Sequence, residues 1–372
     1  MKRTFPPKWS SLNTALCHDW LTGMRGGERV LEILCEGFTN APLYTLIHNR
    51  AAISQTINRH PIHTSWLQRI PKIESHYRHL LPLFPSAIEQ FKPVPADLLI
   101  STSHCVAKNI RTTGNTVHLC YCFTPMRYAW LFHEEYLGAN PLKRLIAKPI
   151  LAWLRHHDRA TSSRVTRFVA ISQHVKARIK KFYGRESDVV YPPVDLDRWT
   201  PDYRTPDSFD LVASALVPYK RIDLAVRAYT RMGWNLKVVG VGSELAKLRQ
   251  LAGPTIEFLG WQSDEQLLLL YRSCRALIFP GEEDFGIVPL EVQACGRPVI
   301  AYACGGALET VANGVSGIFF QSQTEESLIE AVNRGAITLW DPCAIRANAE
   351  RFSVNNFIAA LNESIEKALG AP

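Results

Sequence analysis

The chain has 372 residues, 47% of them hydrophobic and 20% charged, which supplies two apolar cores and excludes disordered, collagenous and low-complexity classes. No run approaches the roughly 18 consecutive apolar residues of a membrane span. Met1-Lys2-Arg3 runs into Pro6-Pro7 rather than a signal-peptide core, and nine cysteines without a CxxC pair suit reduced thiols, so a cytoplasmic protein is expected.

The net charge of +8 is unevenly divided: residues 1–200 hold 27 Lys+Arg against 14 Asp+Glu (+13), and residues 201–372 hold 15 against 20 (−5). Two domains with different partners are expected, the basic one facing anionic lipid, nucleic acid or a phosphorylated substrate. In chain order, Thr14–Cys17 reads as a strand, Gly27–Leu34 as a helix and Leu43–Ile47 as a strand. Residues 60–95, rich in proline, histidine and aromatics, read as an insertion of no defined form. Strands follow at Leu98–Ser101, Val117–Cys122 and Phe168–Ser172. The segment Lys143–Arg155 interleaves cations with Leu145, Ile146, Ile150, Leu151, Trp153 and Leu154. This suits either a helix on anionic lipid or a core-facing helix with a solvated basic face; Trp66–Lys72 is a second such stretch.

Tyr191-Pro192-Pro193-Val194-Asp195 breaks the pattern as a linker. Beyond it the rhythm is cleaner. Strands are expected at Asp210–Leu216, Leu236–Val241, Ile256–Leu259, Ala276–Phe279 and Pro298–Ala301. Helices are expected from Ile222, over Glu244–Leu251, Asp264–Arg272 and Val288–Ala294. Short apolar strands alternating with helices mean parallel sheets covered on both faces, with ligands beyond the carboxyl ends of the strands. The expected architecture is α/β: two Rossmann-like doubly wound domains facing across a cleft.

The segment Gly281–Glu291 carries the most chemistry. Glu283 and Glu291 lie eight apart at a strand–loop–helix junction whose backbone N–H groups, at Phe285, Gly286, Ile287 and Val288, make an anion site. Ionised carboxylates accept hydrogen bonds from sugar hydroxyls. Acidic residues also order helix starts, but Glu291 lies among Ile287, Val288, Leu290 and Val292, where a carboxylate without a partner is costly.

This block, followed by Ala294–Ala301, resembles the donor-site signature of glycosyltransferase family 4, retaining enzymes of GT-B fold. His18-Asp19-Trp20-Leu21, Gly26-Gly27-Glu28-Arg29, Thr124–Trp130, Tyr191–Asp195 and Val217-Pro218-Tyr219-Lys220-Arg221 extend the resemblance across nearly the whole chain. They are similar to a bacterial subgroup of GDP-mannose-dependent mannosyltransferases of surface polysaccharide assembly. The resemblance implies an amino-terminal acceptor-side domain over 1–195, a nucleotide-sugar domain over 196–352, and a carboxyl-terminal helix over 353–372 packing back on the first domain. It assigns Glu291 to the nucleotide ribose, Glu283 to the transferred sugar and the 285–288 amides to sugar and diphosphate. Lys220 is assigned to leaving-group stabilisation, and Gly26-Gly27 to a turn letting backbone approach the donor phosphate.

Two positions depart from the family pattern. Ala215 stands where many relatives carry an arginine, leaving Arg221, Arg25 or Arg29 to assist Lys220. Phe123 stands where many carry a histidine, which leaves the acceptor side open, with His118 and Arg127 as its candidates. A lone histidine on an apolar strand is more often structural. Asp264 offers a carboxylate to guanine N1–H and N2–H, or else caps the helix over 265–272. Asp195-Leu196-Asp197 and His156-His157-Asp158 look like metal motifs, but the first lies in the linker and neighbouring helix residues point about 100° apart. No metal or cofactor is expected.

The expected function is retaining transfer of mannose from GDP-mannose to a lipid-linked glycan, with the protein peripheral on the inner membrane face. Alternatives are a UDP-sugar donor, a non-enzymatic sugar-nucleotide sensor, and a nucleic-acid-binding protein suggested by the basic front half.

Overall fold

A computed structural model describes residues 3–131 and 141–370, with the side chains of 141–144 and 146 outside that description. The chain forms two compact units, Pro192–Phe357 and Lys2–Tyr191 joined by Ile358–Pro372.

Among the described residues the amino-terminal unit is built on a seven-stranded parallel sheet. Its strands are β1 Thr14–His18, β2 Leu43–Thr45, β3 Ile62–Thr64, β4 Leu98–Ser103, β5 Val117–Cys122, β6 Arg167–Ala170 and β7 Ser187–Val189, in the order β3-β2-β1-β4-β5-β6-β7. Every residue of β1 and β4 is buried, as strands covered on both faces require. Helix α1, Gly26–Gly37, follows β1, and α2, Pro141–Thr161, precedes β6. Residues 60–95 are not an insertion apart from the fold. They supply β3 and a series of short helical turns whose Leu67, Ile73, Tyr77, Phe84 and Ile88 enter the core beside Trp20 and Leu46. The proline and aromatic content that disguises them is what such tight, core-filling turns are made of.

The carboxyl-terminal unit holds a six-stranded parallel sheet ordered β10-β9-β8-β11-β12-β13. Its strands are β8 Asp210–Ala213, β9 Leu236–Val239, β10 Ile256–Gly260, β11 Leu277–Phe279, β12 Val299–Tyr302 and β13 Gly317–Phe320. Helix α3, Ile222–Met232, starts behind Arg221 in the left-handed region (φ 52°) and stops at Gly233 (φ 68°). Helix α4, Asp264–Ser273, is started by a reciprocal capping box between Ser263 and Gln266. Helix α5, Ile287–Ala294, begins behind Gly286 at φ 96°, a conformation glycine adopts without a Cβ penalty. Helix α6, Val354–Ala368, leaves this unit at Phe357 and packs from Ile358 onward in the amino-terminal one, where Asn362 Oδ1 accepts the indole N–H of Trp9 at 2.9 Å.

Candidate functional site

The carboxyl-terminal unit gathers its chemistry where β8, β11 and β12 end. The turn Pro218–Lys220 follows β8 and the loop 281–286 follows β11. Lys220 Nζ is ion-paired with Glu283 Oε1, both side chains largely buried at 17% and 12% exposure. The ammonium also lies 5.3 Å from the centroid of the Tyr219 ring. The two loops touch backbone to backbone: a Cβ on Gly281 would come within 2.8 Å of Lys220 Cα. From beyond β12, Gly306 closes the other side. Its N–H donates to Glu283 C=O at 2.8 Å, and a Cβ there would lie 2.2 Å from Phe285 Cα. Lys220 and Glu283 are thus held by three strand ends through contacts that only glycine allows.

Glu291 lies in the middle of α5, and its Oε2 accepts the hydroxyl of buried Tyr271 at 3.3 Å. Burial first, and the Glu291 charge second, push the Tyr271 phenol well above its ordinary pKa, so it stays a donor. Phe285 is buried and packs edge-on against Phe352 at 5.8 Å. Phe285 and Gly286 lead into α5, and Ile287 and Val288 open it. Amides in a helix's first turn have no intrahelical acceptor and suit an anion.

Other expected site residues are otherwise engaged. Arg221 points to Asp223 (3.2 Å) and Gln323 Oε1 (3.1 Å), bracing the start of α3. Asp264 does not cap α4; Ser263 does, and Asp264 in the first turn is ion-paired with Arg198. Asp195 Oδ1 accepts the amides of Asp197 and Arg198, each at 3.2 Å, so the DxD look-alike makes a local turn. Asp158 is fully buried against Lys108 Nζ at 2.9 Å and accepts from Trp130 and Tyr183, while His157 faces Glu89 at 3.2 Å. The His-His-Asp run therefore serves a buried ion pair.

In the amino-terminal unit, His118 is fully buried in β5 with Nε2 2.8 Å from Ser101 Oγ, and burial lowers its pKa to about 3. A side chain sealed between strands cannot meet a substrate, so the structure removes it from the acceptor candidates. Arg127 opens a short helix, Arg127–Trp130, and is half-buried. A Cβ on Gly26, at the start of α1, would meet nothing within 4 Å, whereas one on Gly27 would lie 3.2 Å from the Phe123 ring and 3.6 Å from His18. Gly306 and Tyr271 go unnoticed in the sequence. The Gly305-Gly306 pair after an apolar strand is the available signal for the first; nothing local marks the second.

The family described as Glycosyl transferases group 1 matches residues 197–335, the segment carrying Lys220, Glu283 and Glu291. The D-inositol 3-phosphate glycosyltransferase of Mycolicibacterium smegmatis is 34% identical over 212 residues, 49% of this chain and 48% of its own length. The chain thus spans about half the length of the curated relatives it matches. Sucrose-phosphate synthase of Thermosynechococcus elongatus superposes with a TM-score of 0.71 at 16% identity, covering 96% of this chain and 100% of that one. Anabaena HepE in complex with UDP and glucose gives 0.67 at 18%, covering 95% and 99%. Residues 197–335 are similar to the group 1 glycosyl transferases, and the chain as a whole has the two Rossmann-like units of the GT-B fold.

Proposed function

We propose that the protein transfers a hexose from a nucleoside diphosphate sugar, with retention of configuration, to a glycan acceptor. The observation that carries this reading is the Lys220–Glu283 pair, held by glycine contacts from three strand ends beside the start of α5, with Glu291 one helix turn further in. A lysine beside helix-start amides matches the needs of a departing diphosphate, where charge grows in the transition state. Glu283 orients Lys220 and offers its remaining oxygen to sugar hydroxyls. Glu291, held by Tyr271, is suited to a ribose diol. The reaction then needs positioning and leaving-group stabilisation, with no metal or cofactor required by the residues present.

The donor proposed from the subgroup resemblance is GDP-mannose. A UDP-sugar is the second reading, favoured by a specific observation: Asp264, the carboxylate offered to guanine, is tied to Arg198. HepE, one of the structural neighbours, is described in complex with UDP-glucose. Release of nucleoside diphosphate from GDP-mannose, UDP-glucose and UDP-galactose by the full chain decides between them. Lys220→Ala should lower kcat by about a hundredfold or more while changing donor affinity less than about tenfold. Loss confined to affinity would contradict the leaving-group role.

The proposed acceptor is lipid-linked, met at an anionic membrane face. Support comes from α2, which exposes Leu145 (64%), Ile150 (38%) and Trp153 (47%) in a basic helix. No helix among the described residues is long and apolar enough to cross a membrane.

A further inference from the structure

The chain enters the carboxyl-terminal unit through residues 194–204, and three arginines hold that segment against α4 and α5. Arg272, in α4, donates to Thr200 C=O at 2.6 Å and to Thr200 Oγ1 at 2.7 Å. Arg346, in the helix Pro342–Glu350, donates to Trp199 C=O at 3.0 Å and to the C=O of Ala294, the last residue of α5, at 2.6 Å. Arg297 joins Arg204 C=O (2.6 Å) to Arg272 C=O (2.8 Å). A guanidinium carries five donors in a rigid fork, so each of these side chains can tie two groups together and fix a segment that forms no helix.

The residue placed by this strapping is Trp199. Asp195 turns the chain by accepting the amides of Asp197 and Arg198, and Trp199 N–H closes the turn on Asp195 C=O at 2.9 Å. The indole is buried, 4% exposed, and its ring centroid lies 5.1 Å from that of Tyr271 at an interplanar angle of 48°. Tyr271 is 1% exposed, and its hydroxyl donates to Glu291 Oε2. Two buried rings thus connect the entering segment to the carboxylate on α5.

Glu291 is itself only half-buried. A glutamate side chain has several staggered rotamers, and a ribose diol is held by both O–H groups only when the two carboxylate oxygens face it together. A phenol that cannot move restricts the carboxylate before the ligand arrives, and Oε2 keeps a second lone pair for a ligand hydroxyl. Burial keeps the phenol protonated far above its ordinary range, so the contact persists through neutral pH. A phenylalanine would fill the same space behind Trp199. The hydroxyl instead is costly to bury unless it meets an acceptor, and Glu291 is the acceptor it meets.

We propose that Tyr271 and Trp199 are positioning residues that set ribose recognition in the donor site: Trp199 fixes the Tyr271 ring, and Tyr271 fixes the Glu291 carboxylate for the 2′- and 3′-hydroxyls. Selectivity for a ribonucleotide then depends on a residue of the entering segment, buried behind the site. The proposal rests on the reading of Glu291 as the ribose carboxylate, and its test lets the two fail separately.

Binding of GDP and UDP to the full chain is compared by calorimetry with binding of their 2′,3′-dideoxy forms. The wild type should prefer the ribonucleotide it binds by about tenfold or more, the weight of hydrogen bonds to a charged acceptor. Tyr271→Phe keeps the ring and is the deciding variant. It should lower the preference about threefold or more by weakening the ribonucleotide, with the dideoxy form changed less than about twofold. Trp199→Ala should do the same, and Trp199→Phe should restore most of the preference. Combining Trp199→Ala with Tyr271→Phe should lower it no further, since both act through one hydrogen bond. An undiminished preference in Tyr271→Phe, an equal loss for both nucleotide forms, or additive losses in the double variant would overturn the proposal. Glu291→Ala separates the two claims. Preference lost in Glu291→Ala but kept in Tyr271→Phe overturns the positioning role alone. A preference that survives Glu291→Ala, or a wild type that binds no nucleotide, removes the ribose reading and the proposal with it.

Discussion

Buried histidines set how this protein responds to acid. His18 and His118 are both nearly fully buried, and burial lowers their pKa values to about 4 and about 3. In the unfolded chain both return to about 6.5. Between pH 6.5 and 4 the unfolded state therefore binds more protons than the native state, and stability must fall as pH falls. Each histidine contributes a slope of up to about 1.4 kcal/mol per pH unit in that window. The groups around His18 modify this. Asp19, at about 2, remains ionised throughout the window, and the charge of His104 disfavours a proton on His18. Glu28 Oε1 lies 4.0 Å from His18 Nε2; burial raises its pKa, so it acts in the opposite sense above its ordinary 4.5. Urea midpoints measured from pH 7 to pH 4 should decline, and His118→Gln should flatten the decline. A pH-independent midpoint would contradict the burial of these rings.

Loops, more than helices or strands, carry the candidate site, and they differ in how far the sequence reveals them. Most of the parallel strands are legible because, like β1, β4 and β8, they are buried on both faces around an apolar run, whereas β3, β7 and β13, three or four residues long, go unmarked in the sequence. The expected β12 and α5 boundaries lie within one residue of those observed, for the same reason. Residues 60–95 are not legible: short helical turns have too few residues to show a period, and β3 is only three residues long. The Glu283–Glu291 spacing is readable, but the pairing of Lys220 with Glu283 joins residues 63 positions apart through a backbone contact at Gly281, which no local pattern encodes. Asp264 passes for a cap because Ser and Asp both cap well and adjoin here; Gln266, three residues after Ser263, is the sign that Ser263 wins. The Gly281 contact gives an element-scale prediction. Gly281→Ala must push the Pro218–Lys220 turn away from the loop, because backbone on both sides cannot yield as a flexible side chain would. Nucleotide affinity should drop by about tenfold or more with the fold retained by circular dichroism. Unchanged affinity would mean that the Lys220–Glu283 geometry is not what holds the ligand.

Across the molecule, the charge division of +13 and −5 coincides with the division into two units, whose boundary falls at Tyr191–Pro192. The exposed Leu145, Ile150 and Trp153 of α2 lie in the basic unit. Binding to phosphatidylglycerol-containing vesicles should therefore be weakened by salt and reduced severalfold by Trp153→Ser, with vesicles of neutral lipid binding little. Equal binding to neutral and anionic vesicles would contradict an electrostatic contribution. Everything proposed for catalysis depends on the carboxyl-terminal unit binding a nucleoside diphosphate sugar through Lys220, Glu283 and Glu291. A thermal-shift panel of GDP, UDP, ADP and their hexose conjugates, with Glu291→Ala alongside, is the decisive experiment. A ligand at a hundred times its Kd stabilises the protein by about 2.7 kcal/mol, a readily visible shift. GDP and GDP-mannose, or on the second reading UDP and a UDP-sugar, should give a shift that disappears in Glu291→Ala. No shift with any nucleotide, or one that survives the substitution, would contradict donor binding at this site.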